Sequence, residues 1–200
     1  MKEFILIGGI GSGKTTVAKL LEERGARLLD LDKVGHEVLL KPEVVALMTS
    51  TFGNDILTED GQINRPKLAE AAFSTPANTI KLNAISQPRL LKLAQEKVAA
   101  LREEGVENLV IEISVYDGPE GTFAPLIRGN DGIIAVTCPT RVRLERAIAK
   151  GFDPQDVKNR IARQPADTQR AIWSDYVISN KGTLEELETQ TDRVWKQITS

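Results

Sequence analysis

Residues Gly8-Gly9-Ile10-Gly11-Ser12-Gly13-Lys14-Thr15 spell G-x-x-x-x-G-K-[ST] directly after the apolar run Phe4-Ile5-Leu6-Ile7. A strand, a glycine turn and Lys-Thr in that order make a phosphate cradle. The glycines let the backbone curl so that successive N–H groups point inward, Lys14 reaches the β- and γ-phosphates, and the Thr15 hydroxyl can ligate Mg²⁺. Val17, Ala18, Leu20 and Leu21 follow at helical spacing, so a helix N-terminus faces the same anion. The donor site is therefore expected to comprise Gly9, Ile10, Gly11, Ser12, Gly13, Lys14, Thr15 and Thr16. Lys14 is expected on an exposed loop, neutralising donor charge rather than packing.

Composition narrows what such a loop can serve. Two hundred residues with 41% hydrophobic content suit one compact α/β unit with a small insertion. A net charge of −2 argues against a general nucleic-acid or membrane-surface binder. The single cysteine, Cys138, excludes an intramolecular disulfide, and its neighbours Ile133, Ile134, Val136 and Pro139 place it at a buried strand end. Met1 leads straight into the first strand, and no run of about 18 apolar residues is present, so a soluble, cytoplasmic protein is expected.

Apolar runs alternate with helical patterns, which predicts a parallel sheet with helices on both faces. The expected strands are 4–7, 26–31, 109–113, 132–137 and 176–179. Ligand sites in such sheets collect at the carboxyl ends of strands, where the glycine loop, Asp32, Glu112 and Thr137 all fall. Between the second and third strands lie about 75 residues of mostly helical pattern, longer than one crossover helix. Within them Thr75-Pro76 reads as an N-cap with a first-turn proline, and Pro88 is expected to break or kink the helix that follows. A second helical stretch, Arg141 to Arg170, turns at Gly151-Phe152-Asp153-Pro154 with Asp153 as cap. Thr183 and Glu186 form a capping box opening a last helix that is expected to bury Leu184, Leu187, Val194, Trp195 and Ile198.

Phosphoryl transfer needs positioning and charge neutralisation more than covalent chemistry by the protein. Asp32 lies at the end of the second strand, beside the loop if that strand packs near the first, and a carboxylate there can deprotonate an acceptor hydroxyl or hold a metal-bound water. Asp30 is the alternative, and a helix N-cap is the bland role for Asp32. Arg141, Arg143, Arg146, Lys150, Lys158, Arg160, Arg163 and Arg170 are dense for an acidic chain. They read either as solvated helix faces or as a lid closing arginines over transferring phosphate. His36, the only histidine, lies one helical turn after Asp32.

The chain resembles the dephospho-coenzyme A kinases nearly end to end. The glycine loop with Thr16-Val17-Ala18 is similar to that family's opening, with Thr15 where Ser is usual. Asp30-Leu31-Asp32 followed by His36-Glu37-Val38-Leu39 is similar to its D-x-D segment. Phe52-Gly53, Asp60 to Arg65 with Leu68-Ala69, and Leu82-Asn83-Ala84-Ile85 with Pro88 match its middle signatures. Arg146, Lys150, Arg160 and Gln164, then Asp175 to Asn180, resemble its lid and closing motif. The resemblance implies a three-layer P-loop kinase fold with a five-stranded parallel sheet, a core of about 1–40, 105–140 and 171–200, a helical acceptor-binding insertion at about 41–104 and a lid at about 141–170. It implies phosphorylation of the ribose 3′-hydroxyl of dephospho-coenzyme A by ATP with Mg²⁺; a monomer is expected, with an oligomer left open, and the charge and hydropathy predict no nucleic-acid or membrane partner.

Carried over residue by residue, Lys14, Asp32 and Arg146 would be catalytic. Asn180 would lie near the adenine, and Asp32, His36, Arg65 and Gln87 would meet the acceptor. Three positions depart from the pattern. Glu112-Ile113-Ser114-Val115-Tyr116-Asp117-Gly118 stands in place of a D-x-P-L-L-x-E-like turn, Gln87 replaces a common His, and Lys150 replaces a usual Arg. The altered turn reads as more polar and freer to move, with Asp117 or Glu120 as the nearby carboxylate. A kinase with a shifted acceptor and a catalytically decayed nucleotide-binding regulator are the competing readings.

Overall fold

The computed structural model describes residues 1–149 and 151–200; Lys150, one of the basic residues singled out above, lies outside them. Among the described residues, β1 (Lys2–Gly8), β2 (Arg27–Asp30), β3 (Asn108–Ile113), β4 (Gly132–Thr137) and β5 (Tyr176–Ser179) form one sheet in the order β2-β3-β1-β4-β5. Each neighbouring pair is parallel. The strands are rich in Ile, Val and Leu because both faces are covered, the usual state of a parallel sheet. Phe4, Leu6, Val110, Ile134, Val136 and Ile178 face one side, where they meet Val17 and Leu21 of α1 (Lys14–Glu23). Leu187, Val194 and Ile198 of α10 (Leu184–Thr199) complete that core. Ile5, Ile7, Ile111 and Ile113 alternate to the opposite face and are equally buried.

The chain divides into two compact units, Met1–Asp30 with Ala100–Ser200, and Leu31–Ala99. The second contains α2 (Leu31–Leu39), α3 (Pro42–Phe52), a 3-10 turn at Asn54–Ile56, α4 (Arg65–Phe73) and most of α5 (Pro76–Glu103). Its own core is Val38, Val44, Met48, Ile56, Leu68 and Ala72. Asn64 caps α4 by accepting the Lys67 N–H at 3.2 Å, and Thr75 Oγ1 accepts the Asn78 N–H at 3.1 Å at the start of α5.

Two expectations are corrected. α5 runs as one helix through Pro88, so the expected break is absent. In the adjoining turns Arg89 donates to the Ile85 carbonyl at 2.7 Å and Ser86 to the Leu82 carbonyl at 2.8 Å. Leu184 is 59% exposed, since it opens α10 ahead of the buried stripe. The remaining helices are α6 (Ala124–Ile127), α7 (Thr140–Ala149), α8 (Pro154–Arg163) and α9 (Asp167–Ile172), all in the first unit. Asp153 caps α8 through the Asp156 N–H at 2.8 Å. No helix among the described residues is long and apolar enough to cross a membrane.

Candidate active site

The glycine loop leaves β1 and turns into α1 at Gly13, whose φ of 91° is left-handed and therefore suits glycine. A Cβ at Gly13 would also stand 2.0 Å from Asn180 Nδ2, and one at Gly9 would stand 2.2 Å from Arg143 Nη2. Glycine is thus required both for the turn and for the approach of two polar side chains. No side chain caps the α1 N-terminus among the described residues, and a helix start of this kind can receive an anion on its first N–H groups and the positive end of its dipole.

Lys14 is only 7% exposed, a correction to the expected exposed loop position. It is ion-paired with Glu112, itself buried, and donates to Ser114 Oγ at 3.0 Å. The Thr15 hydroxyl lies 3.4 Å from the same Glu112 oxygen. Strand register explains the meeting. Glu112 pairs with Leu6 of β1 at the carboxyl end of the sheet, and its side chain alternates away from Ile111 and Ile113 toward the α1 face. β2 pairs with β3 rather than β1, so the condition placed on Asp32 is not met. Within the first unit, β3 supplies a carboxylate beside the loop, that of Glu112. Sequence reasoning placed Glu112 at a strand end without giving it a role; an acid there, in a chain with this loop, was the available signal.

The loop is also held from its other side. Arg143 of α7 is 3% exposed, its Nε donating to the Ile10 carbonyl at 2.7 Å and its Nη2 to Gln164 Oε1 at 3.0 Å. The same Gln164 oxygen accepts the Ile10 N–H at 3.0 Å. Asp167 Oδ1 stands 3.6 Å from Arg143 and accepts from Arg170 at 2.9 Å, while its Oδ2 accepts the Cys138 N–H at 2.7 Å. Two buried guanidiniums therefore share one carboxylate. Burial lowers the Arg170 pKa from its usual value and raises that of the Cys138 thiol, so Cys138 is an inert part of this packing.

Asn180 follows β5, donating its N–H to the Thr137 carbonyl and its Nδ2 to the Ser12 carbonyl, each at 2.8 Å. Its own carbonyl accepts from Arg146 at 3.2 Å. The first unit thus brings together the loop, Asn180, Arg143, Arg146 and Gln164. Asp32, His36, Arg65 and Gln87 belong to the second unit: Asp32 in the first turn of α2, His36 one turn on, Arg65 at the start of α4, and Gln87 within α5.

A family model described as dephospho-CoA kinase matches residues 4–186 of this sequence. The chain belongs to the dephospho-CoA kinase family. It is 36% identical over 195 residues to a dephospho-CoA kinase of Corynebacterium efficiens, covering 96% of this chain and 95% of that one. The crystal structure of TT1252 from Thermus thermophilus superposes with a TM-score of 0.81 at 26% identity, covering 100% and 98% of the two chains. A dephospho-CoA kinase from Campylobacter jejuni shares the fold at a TM-score of 0.67 and 19% identity, covering 98% and 97%. The fold is that of the P-loop kinases, as the sheet and loop imply.

Within this dephospho-CoA kinase family chain, the turn after β3 is tied down rather than free. The Asp117 carboxylate accepts the Thr122 N–H at 3.0 Å and its hydroxyl at 2.8 Å, and Glu120 meets Arg128 at 3.3 Å. Tyr116 is 3% exposed and packs edge-on to Trp173 with ring centroids 5.6 Å apart. Its hydroxyl has no partner among the described residues, and its pKa is pushed up to about 12 by burial and then by Asp117. A hydroxyl and a carboxylate side by side at Thr15 and Glu112 are hard oxygen donors of the kind Mg²⁺ accepts together with substrate phosphates.

Proposed function

We propose that this chain transfers the γ-phosphoryl group of ATP to the ribose 3′-hydroxyl of dephospho-coenzyme A, giving coenzyme A and ADP. The observation that carries the reading is the Lys14–Glu112–Thr15 cluster at an uncapped helix N-terminus, in a chain of the dephospho-CoA kinase family. The N–H groups of Gly11, Gly13, Lys14 and Thr15 hold the donor phosphates, those of Ser12 and Thr16 being bonded to the Gly9 and Gly13 carbonyls. Lys14 exchanges part of its pairing with Glu112 for the β- and γ-phosphates. Thr15 and Glu112 would hold Mg²⁺, which when bound neutralises charge on the phosphates. Asp32 takes the proton of the attacking hydroxyl, and Arg65 with His36 and Gln87 orients the acceptor. We assign α7 and α8 as the lid and Leu31–Ala99 as the acceptor-binding unit.

Arg146 supports the lid role through its bond to the Asn180 carbonyl, since that bond links α7 to the loop beside the nucleotide. Arg143 is fully engaged with Ile10, Gln164 and Asp167, which suits holding the loop rather than touching the transferring group. ADP release with ATP and Mg²⁺, measured with and without dephospho-coenzyme A, tests the reading. Release that depends on dephospho-coenzyme A is expected; ATP binding with no acceptor-dependent release contradicts it.

A further inference from the structure

The Leu31–Ala99 unit holds a cavity of about 920 Å³ that the phosphoryl-transfer residues do not line. Its walls include Leu39 and Leu40 where α2 ends, Pro42, Val45 and Ala46 of α3, and Gln62 from the turn before α4. No charged side chain among the described residues lines it, although 27% of the chain is charged. The walls follow from α3. Val44 and Met48 fill the core of the unit, whereas Val45 and Ala46 continue the apolar surface onto an adjoining face. Leu40 beside them is 65% exposed. A helix that stays apolar beyond its core-facing stripe presents surface for a ligand or partner.

α2 joins this cavity to Asp32 along one helix face. Asp32, His36 and Leu39 stand at i, i+4 and i+7, on one face of the helix, while Leu31, Val34 and Val38 form the buried stripe. The face runs about 10 Å along the helix axis, from the acceptor base to the cavity wall. We infer that this cavity takes the pantetheine arm of dephospho-coenzyme A. The ribose sits at Asp32, the pyrophosphate passes His36, and the arm enters between Leu39, Leu40 and α3. The inference rests on the assignment of Asp32 as the acceptor base.

The chemistry of the arm matches the cavity part by part. It is uncharged, and the lining carries no charge. Its geminal dimethyl group and methylenes suit Leu40, Pro42 and Val45, and its two amides find a donor and an acceptor in the Gln62 side chain. The volume lies within the roughly 300–1,000 Å³ usual for small-molecule sites with apolar walls and few polar groups.

The test places a charge in the wall at an exposed helix position, Ala46→Glu, and removes part of the wall at the exposed rim, Leu40→Ser. Thermal unfolding confirms that each variant is folded. For each, KM for dephospho-coenzyme A and for ATP is measured by ADP release. The inhibition constant of adenosine 5′-phosphate, which lacks the arm, is measured against dephospho-coenzyme A at saturating ATP. The expected result is a KM for dephospho-coenzyme A raised roughly tenfold in Ala46→Glu, about 1.4 kcal/mol, and less in Leu40→Ser. KM for ATP and the inhibition constant of adenosine 5′-phosphate stay at wild-type values. An unchanged KM for dephospho-coenzyme A overturns the inference and leaves the kinase reading intact. So does an equal loss for both ligands. A wild-type dimer that Ala46→Glu splits assigns the face to a second copy and overturns it too. Absence of acceptor-dependent ADP release in the wild type is the separate outcome that removes the kinase reading itself.

Discussion

Lys14 and Glu112 form a buried ion pair beside the glycine loop. Glu112 lies 98 residues away and arrives through strand register, which no local pattern encodes. The consequence concerns stability as much as catalysis. Lys14→Ala is expected to abolish phosphoryl transfer and to destabilise the fold by about 3–5 kcal/mol, because Glu112 is left charged and buried without its cation. Adding Glu112→Gln should recover much of the stability and none of the activity, as read by urea unfolding and ADP release. Asp32 differs, since it lies exposed in the first turn of α2. Asp32→Asn is expected to lower kcat by roughly 10²–10⁴-fold with ATP affinity nearly unchanged. Weaker ATP binding with kcat spared would instead assign it to metal or structure. Tyr116 carries a third prediction. Its folded-state pKa of about 12 exceeds the ordinary value of 10.0, so the native state keeps a proton that the unfolded chain loses. That contribution is complete below pH 10 and is lost as pH rises toward about 12. Tyr116→Phe should flatten this alkaline loss relative to wild type. It should also stabilise the protein at neutral pH by about 1 kcal/mol, because a buried hydroxyl without a partner is removed.

At the scale of elements, caps and turns are the parts that local sequence decides. Thr75, Asp153 and Thr183 each accept the N–H expected of them, because a cap depends on residues three apart and little else. Pro88 was less legible: proline disfavours a helix interior, yet here it sits inside a 28-residue helix. The basic stretch after β4 was legible only as a set. Burial sorts it, with Arg143 and Arg170 inside and Arg141 and Arg160 on exposed faces paired to Glu145 and Asp156. This separates two arginines on one helix. Arg143→Ala is expected to raise KM for ATP by roughly tenfold or more, since a charged hydrogen-bonded clamp on the loop is lost. Arg143→Lys should not rescue it, because a single ammonium cannot serve Ile10, Gln164 and Asp167 in a planar fork. Arg146→Ala should lower kcat more than it weakens ATP binding, the pattern of a contact completed when a lid closes. Both constants from one initial-rate grid decide between these outcomes.

For the whole molecule, the five strands and the alternation of helices could be read from apolar runs, but not their lateral order. Placing β3 between β2 and β1 is a choice among long-range pairings, each satisfied by similar Ile- and Val-rich strands. That choice delivers Glu112 to the loop. The two compact units each have their own core, and the residues assigned to the donor lie in the sheet-containing unit while those assigned to the acceptor lie in Leu31–Ala99. Ligands should therefore leave separate footprints in amide hydrogen exchange. A non-hydrolysable ATP analogue at a hundred times its Kd stabilises the state it binds by about 2.7 kcal/mol, which slows exchange from openings that release it by roughly a hundredfold. Protection is expected at residues 8–16 and around Arg143, Gln164 and Asn180, where the loop and its clamp open together. Dephospho-coenzyme A alone should instead protect α2 and α3, including the segment 39–46 that walls the apolar cavity. Adenosine 5′-phosphate should protect the start of α2 and leave 39–46 exchanging at the unliganded rate. Uniform protection of all residues by either ligand would mean that the two cores open as one cooperative body, and the division of labour assigned to them would then have no energetic counterpart.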